Sequence, residues 1–214
     1  MNSVSVPFFN PMKKSVLFIA TGTSLLALGT AALQWPIIDK ITEFLFLPLI
    51  GFIAIIFLGS FALSIMYAWD YRKRHRFCFI PLIIHIIAVL ILFFVPFTRL
   101  WLKWNFAYYK DEREKIVEMV ITGELKPNVE YNSSLIELDS SFPLVSLGGN
   151  QIVVEMNDGK PYVFFYTYRG ILDNYAGFLY LPEGGEPAKF NDLYEESKSE
   201  IENLEPDIYW VSHH

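Results

Sequence analysis

Three stretches of this chain are apolar without interruption. Ser15–Gln34, Phe44–Trp69 and Phe77–Thr98, of 20, 26 and 22 residues, contain no Asp, Glu, Lys or Arg. A bilayer hydrocarbon core of roughly 30 Å takes about 20 helical residues to cross, so each run is long enough to span. Backbone groups in lipid must pair within their own segment, which makes helices the expected form. The second run exceeds the needed length and is expected to tilt or bend, with Pro48 and Gly51 as the expected places. Trp35, Trp69, Trp101 and Trp104 fall at or just beyond run ends, where an indole prefers the headgroup layer.

Beyond the third run the period changes. From about Asn105 to Thr122, apolar Phe106, Tyr109, Ile116, Val117, Val120 and Ile121 recur at helical spacing. Asp111, Glu112, Arg113 and Lys115 fall among them, with Gly123 and Pro127 as stop signals. Strand patterns follow. "SLIEL" (Ser134–Leu138) is short. "QIVVEM" and "PYVFFYTYR" flank "NDGK", which predicts a hairpin with a glycine at positive φ. The second of these strands is apolar on both faces and is expected at the centre of a sheet. "YAGFLYL" (Tyr175–Leu181) predicts the next strand, Phe190–Leu204 an acidic helix, and "IYWVS" (Ile208–Ser212) a closing strand. The expected fold class is therefore a membrane protein with three transmembrane α-helices (15–34, 44–69 and 77–98) followed by a small α+β domain built mainly on an antiparallel sheet. Residues 1–14 form a lead, 15–104 the transmembrane region and 105–214 the soluble domain.

Charge divides the chain in the same place. Residues 1–108 carry nine Lys/Arg and three Asp/Glu, a balance of +6, whereas 109–214 carry eight and twenty, a balance of -12. The loop "DYRKRHR" (Asp70–Arg76) holds Arg72, Lys73, Arg74 and Arg76, and the lead holds Lys13 and Lys14. Basic loops stay in the cytoplasm, so the N-terminus and this loop are expected inside and the acidic domain outside. Arg99, Lys103, Lys110, Arg113 and Lys115 pull the other way. Arg99 and Lys103 can reach headgroups while Trp101 and Trp104 lie in the interface. The first run also resembles a signal peptide, with small residues at Gly29–Ala32, but its length favours a retained helix. The expected location is a cell membrane, bacterial by its architecture. Cys78, the single cysteine, lies in the third run, so the outer domain must fold on its apolar core without a disulfide.

Candidate chemistry is sparse. In "YRGILDN", Arg169 and Asp173 are either a ligand-binding pair, together with Tyr168, or an ion pair closing the connection between two strands; the second reading is favoured. His85 lies eight residues past Phe77, about 12 Å into the bilayer. An ionisable side chain at that depth is a functional candidate. The simpler reading is a neutral imidazole bonded to hydroxyls, with Thr21, Thr23, Ser24 and Thr30 available on the first run. Ser60, Ser64 and Ala68, spaced by four, form an expected close-packing face. Glu195, Glu196, Glu200 and Glu202 read as a solvated helix face, His213 and His214 as a flexible tail, and "SLGGN" (Ser146–Asn150) as a turn rather than a phosphate loop. No G-x-S-x-G and no zinc-type spacing is present, so no catalytic residue, metal site or cofactor is expected. The acidic domain argues against nucleic acid. Expected partners are the lipid bilayer and other membrane proteins or further copies of this chain. The leading expectation is an integral membrane protein that displays its domain for interaction, sensing or assembly. A membrane-bound enzyme acting on envelope material and a transport or channel subunit are the alternatives.

Overall fold

The computed structural model describes residues 14–74, 76–170, 174–190 and 199–213. The chain divides into two compact units, one of Met1–Ile37 with Phe44–Thr98, the other of Ile38–Glu43 with Arg99–His214.

The first unit is helical. α1 is Lys14–Ala32, α2 is Gln34–Tyr71, and α3 is Ile80–Phe94. Lys14–Ala32 and the Phe44–Tyr71 part of α2 are long and apolar enough to cross a membrane. Within α2 the helix is interrupted at Thr42, whose φ of 67° and ψ of 158° are non-helical. The interruption therefore precedes the apolar run. Pro48 sits inside the continuing helix, and neither Pro48 nor Gly51 departs from helical dihedrals.

The third apolar run does not form one helix. α3 stops at Phe94, and α4 (Phe97–Ile121) leaves at an angle of 64°. Pro96 is the cause. A proline disfavours helical dihedrals in the residue before it, and Val95 is extended at φ −85° and ψ 118°. Val95 still donates its N–H to Ile91 O at 2.9 Å, which closes the last turn of α3. Taken together, the bent pair α3–α4 raises the number of candidate spans from two to three. The predicted soluble helix is thus the latter part of a longer one that begins directly at the bend.

The second unit is a six-stranded antiparallel sheet with α4 on one face. The strands are β1 (Leu135–Glu137), β2 (Gln151–Asn157), β3 (Lys160–Arg169), β4 (Tyr175–Tyr180), β5 (Ser199–Glu205) and β6 (Ile208–His213). Their order across the sheet is β1-β2-β3-β4-β6-β5, so the aromatic β3 is central, as its two apolar faces require. The β2–β3 hairpin turns through Asp158 and Gly159, at φ 53° and 74°, both in the left-handed region that a two-residue hairpin turn demands. Period-two alternation separates two apolar layers. Val163, Phe165, Phe178 and Tyr180 face α4 and pack with Ile116, Phe106 and Tyr109. Tyr162, Phe164, Leu179 and Val211 face the other way and pack with Phe190.

Two expectations at the C-terminal end are corrected. Ser199–Glu205 is an edge strand paired with β6, not the end of a helix. Its partner strand returns through Pro206 and Asp207, the latter at φ 61°, and the backbone pairing this turn sets up outweighs the helical spacing of the side chains. Glu200 and Glu202 therefore lie exposed along a sheet edge, where carboxylates discourage pairing with another chain. Glu195 and Glu196 lie outside the described residues. His213 is not a loose tail: it ends β6 and stacks on Tyr175 with ring centroids 5.5 Å apart.

Packing around β4 is tight enough to test. A methyl group on Gly177 would stand 2.2 Å from the Phe165 carbonyl oxygen and 2.4 Å from the Phe164 ring, whereas one on Gly59 in α2 meets nothing within 4 Å. Gly177→Ala should lower the stability of the detergent-solubilised chain by at least about 2 kcal/mol in a denaturant melt followed by tryptophan fluorescence. Gly59→Ala should stay within about 0.5 kcal/mol.

Candidate functional site

The buried polar groups mark where the chain is most constrained. In the sheet domain the largest is Arg113, 1% exposed. It donates from Nε (3.0 Å) and Nη2 (2.8 Å) to the Val145 carbonyl. It also donates from Nη1 to Asn105 O at 3.2 Å and from Nη2 to Asn105 Oδ1 at 2.5 Å. Its guanidinium lies over the Phe178 ring, 4.6 Å from the centroid. Removal from water pushes its pKa down to about 10, well above neutral pH, so it remains a cation. Burial pushes the neighbouring Tyr180 phenol up. Arg113 thereby joins two turns of α4 to the loop before β2. The helical period could have revealed it, since Tyr109, Ile116 and Val120 occupy the same face at i−4, i+3 and i+7.

That loop is "SLGGN" and its approach. Gly148, Gly149 and Asn150 all have positive φ, at 75°, 88° and 57°. Asn150 Oδ1 accepts the N–H groups of Val145 (3.1 Å) and Ser146 (3.2 Å), and its Nδ2 donates to Pro143 O. Ser146 accepts from Tyr166 N and donates to Gln151 O. The donors a phosphate would need are thus engaged in holding a turn. One more N–H, that of Gly148, is taken by Asp39 Oδ1 at 2.8 Å. Asp39 belongs to the segment Ile38–Glu43, which is part of this same unit.

Arg169 is exposed at the end of β3. It donates from Nη1 to Gln151 Oε1 at 2.8 Å, and its guanidinium stands 5.3 Å from the Tyr166 ring. Its aliphatic stem covers Gly148, whose Cβ position lies 3.0 Å from Arg169 Cδ. Asp173, like Ile171 and Leu172, lies outside the described residues, so the expected pair has no geometry here. The connection itself is closed by a 2.7 Å hydrogen bond from Gly170 N to Asn174 O. Tyr168 is half-buried, and its hydroxyl packs against Gly170, 2.5 Å from where a Cβ would stand.

In the helical unit the corresponding group is His85, 0% exposed. Its Nδ1 lies 2.9 Å from Pro81 O and 3.4 Å from Ser64 Oγ. Its Nε2 lies 3.1 Å from Ser60 Oγ and 3.4 Å from Thr23 Oγ1. A carbonyl oxygen can only accept, so in the neutral ring Nδ1 carries the hydrogen and Nε2 accepts from Ser60. Thr23 reaches Ser60 Oγ at 3.1 Å, and Ser64 donates to Ser60 O at 3.0 Å. Phe57 and Phe61 close the ring edges at 5.0 and 5.6 Å. Side chains from α1, α2 and α3 therefore meet at one imidazole. Ser60, Ser64 and Ala68 are all buried along one face of α2.

Among the described residues, the helical unit contains the following cavities. One of 360 Å³ is lined almost wholly by apolar groups, including Ala27, Ile53, Ala54 and Phe57. Another, of 230 Å³, is lined by Val16, Ile19, Ser60, Leu63, Met66, Tyr67, Asp70 and Tyr71. Among the described residues no three His, Cys, Asp or Glu side chains are grouped so as to hold a metal ion. No family model, curated protein or solved structure matches this chain.

The two arginines should separate cleanly. Arg113→Ala strands the Val145 carbonyl and Asn105 in the core and leaves a cavity, and should cost about 2–5 kcal/mol. Arg169→Ala, at an exposed strand end, should cost at most about 1 kcal/mol. Equilibrium unfolding of the full chain in detergent measures both.

Proposed function

We propose that this chain is an integral membrane protein with three crossings, holding its acidic sheet domain on the side opposite the basic loop. There the domain serves interaction, sensing or assembly with other membrane proteins or further copies of the chain. The observation that carries this reading is the membership of Ile38–Glu43 in the C-terminal unit, with Asp39 bonded to Gly148. The chain leaves that unit at Glu43 and re-enters it at Arg99. With that unit on one side of the bilayer, Phe44–Thr98 crosses an even number of times on this reading. The Phe44–Tyr71 helix supplies one crossing, and α3 with its flanks the return.

Two further features support the reading. Leu100, Trp104 and Tyr108 are exposed at i, i+4 and i+8 along α4, with Trp104 stacked on Tyr108 at 5.2 Å and Arg99 and Lys103 close by in sequence. That is an interfacial composition, suited to the headgroup layer just beyond a crossing. In the domain, the buried polar groups Arg113, Ser146 and Asn150 are engaged with backbone atoms. Their use in fixing loops favours a display role over catalysis.

Sidedness is tested with single cysteines in a Cys78→Ser background and an impermeant thiol reagent on intact cells. Lys40→Cys and Glu202→Cys should label together, and Lys73→Cys only after lysis. Lys73 and Glu202 labelling from the same side, or Lys40 and Glu202 from opposite sides, would overturn the three-crossing reading.

A further inference from the structure

The 230 Å³ cavity and the His85 cluster share one residue, Ser60. Its hydroxyl lines the cavity and lies 3.1 Å from His85 Nε2. From Asp70 to Ser60 is ten helical residues, about 15 Å along α2. The cavity thus runs inward from the end of α2 that carries the basic loop. Asp70, Tyr71, Tyr67 and Ser60 give it polar atoms along its length, and its volume admits several waters with hydrogen-bond partners. The larger cavity of the same unit has no comparable polar lining.

We propose that this cavity is a one-sided aqueous inlet and that His85 is a proton-binding site fed through Ser60. The tautomer sets the chemistry. Pro81 O fixes the hydrogen on Nδ1, which leaves the Nε2 lone pair directed at Ser60. An excess proton on cavity water passes to Ser60 Oγ as the serine hydrogen passes to Nε2. Hydronium becomes water, serine is regenerated, and the imidazole becomes imidazolium. Ser60 Oγ then accepts from Nε2–H and turns its own hydrogen toward the cavity, where water can accept it. Buried in a dry site, Ser60 would lack that second acceptor.

The surroundings decide what protonation does. The groups facing His85 are Thr23 on α1, Ser60, Ser64, Phe57 and Phe61 on α2, and Pro81 O on α3. None of these is ionisable. The ionisable groups lining the cavity are Tyr67, Asp70 and Tyr71. An imidazolium here would be met by hydroxyl and carbonyl oxygens alone, and the Ser60 bond that joins α2 to α3 would reverse its direction. Proton binding is thereby coupled to the junction of three helices. This inference rests on the membrane reading above but not on which face is cytoplasmic.

Two measurements on the full chain test it. In a Cys78→Ser background, Ser60→Cys and Leu63→Cys should react with an impermeant thiol reagent from the same membrane face as Lys73→Cys. Ala54→Cys, in the apolar cavity, should stay unlabelled. Leu63 makes none of the His85 bonds, so it reports on water access even where Ser60→Cys disturbs the cluster. Reaction of neither Ser60→Cys nor Leu63→Cys from that face would overturn the inlet. If Lys73→Cys labels from outside with them, the inlet stands and the orientation is what fails. Separately, nitrogen NMR of histidine-labelled protein in bilayers should show His85, assigned by its loss in His85→Gln, with hydrogen on Nδ1 at neutral pH. Its Nε2 signal should move reversibly to an imidazolium position on acidification. Ser60→Ala should slow that exchange at least tenfold while leaving the other histidines unchanged. A His85 nitrogen that holds still on acidification while the protein stays folded would overturn the proton site.

Discussion

A polar group taken out of water must find its partners inside the chain, and each unit of this protein is organised around one such group. In the helical unit it is His85, which draws Thr23, Ser60 and Ser64 to one point. Lipid gives helices little hydrophobic reason to associate, so close packing and hydrogen bonds carry the specificity. The buried faces of α1, α2 and α3 follow from that one imidazole. In the sheet unit it is Arg113, a cation whose removal from water costs several kcal/mol before its bonds are counted. Its bonds to Val145 and Asn105 offset that cost only in one register of α4 over the sheet. Slipping the helix by a turn would leave a buried charge unpaired.

Much of the fold was legible because it depends on periodicity. The apolar runs, the β2–β3 hairpin and the central place of β3 all follow from alternation and turn chemistry that neighbours reinforce. What was missed depends on competition between signals. At Phe190–Leu204 the helical spacing of Leu193, Ile201 and Leu204 concealed the turn chemistry of Pro206–Asp207, which pairs Ser199–Glu205 with β6. At the third run, composition concealed geometry: Pro96 carries no charge and so does not interrupt a run defined by the absence of Asp, Glu, Lys and Arg, yet it sets the 64° bend.

The site was less legible than the fold, for a related reason. Arg113 sits among Asp111, Glu112 and Lys115, so charge alone assigns it to solvent, and only its helical phase places it in the core. Arg169 stood out because of its aromatic neighbours, but its partners come from elsewhere. Gln151 on β2 and Gly148 in the preceding loop reach it through strand pairing, which no local spacing encodes. His85 was legible as a depth anomaly and its hydroxyl partners as a small set of candidates. Selection of Thr23 from that set, and of Ser60 from a face read only as close-packing, needed the rotation of each helix about its axis. Hydropathy without charge gives no phase, and α1 and the apolar part of α2 are nearly uniform in it.

The bend at Val95–Pro96 and the interruption at Thr42 have a common consequence. Each lies where a candidate span passes into the sheet unit, and each redirects the backbone within a few residues. Thr42 does so at a positive φ, costly for a β-branched residue by about 1–3 kcal/mol. The segment it ends, Ile38–Glu43, packs in the C-terminal unit, and Trp101, Leu102 and Asn105 just past the bend pack there too. The C-terminal unit therefore takes in two separate stretches of the chain. In sequence, α3 lies between these two stretches. At 15 residues it rises about 22 Å, short of a hydrocarbon core of roughly 30 Å. On the proposed three-crossing reading, Phe77 and Phe79 before it and Val95 to Thr98 after it would make up the difference, or the bilayer would thin around it.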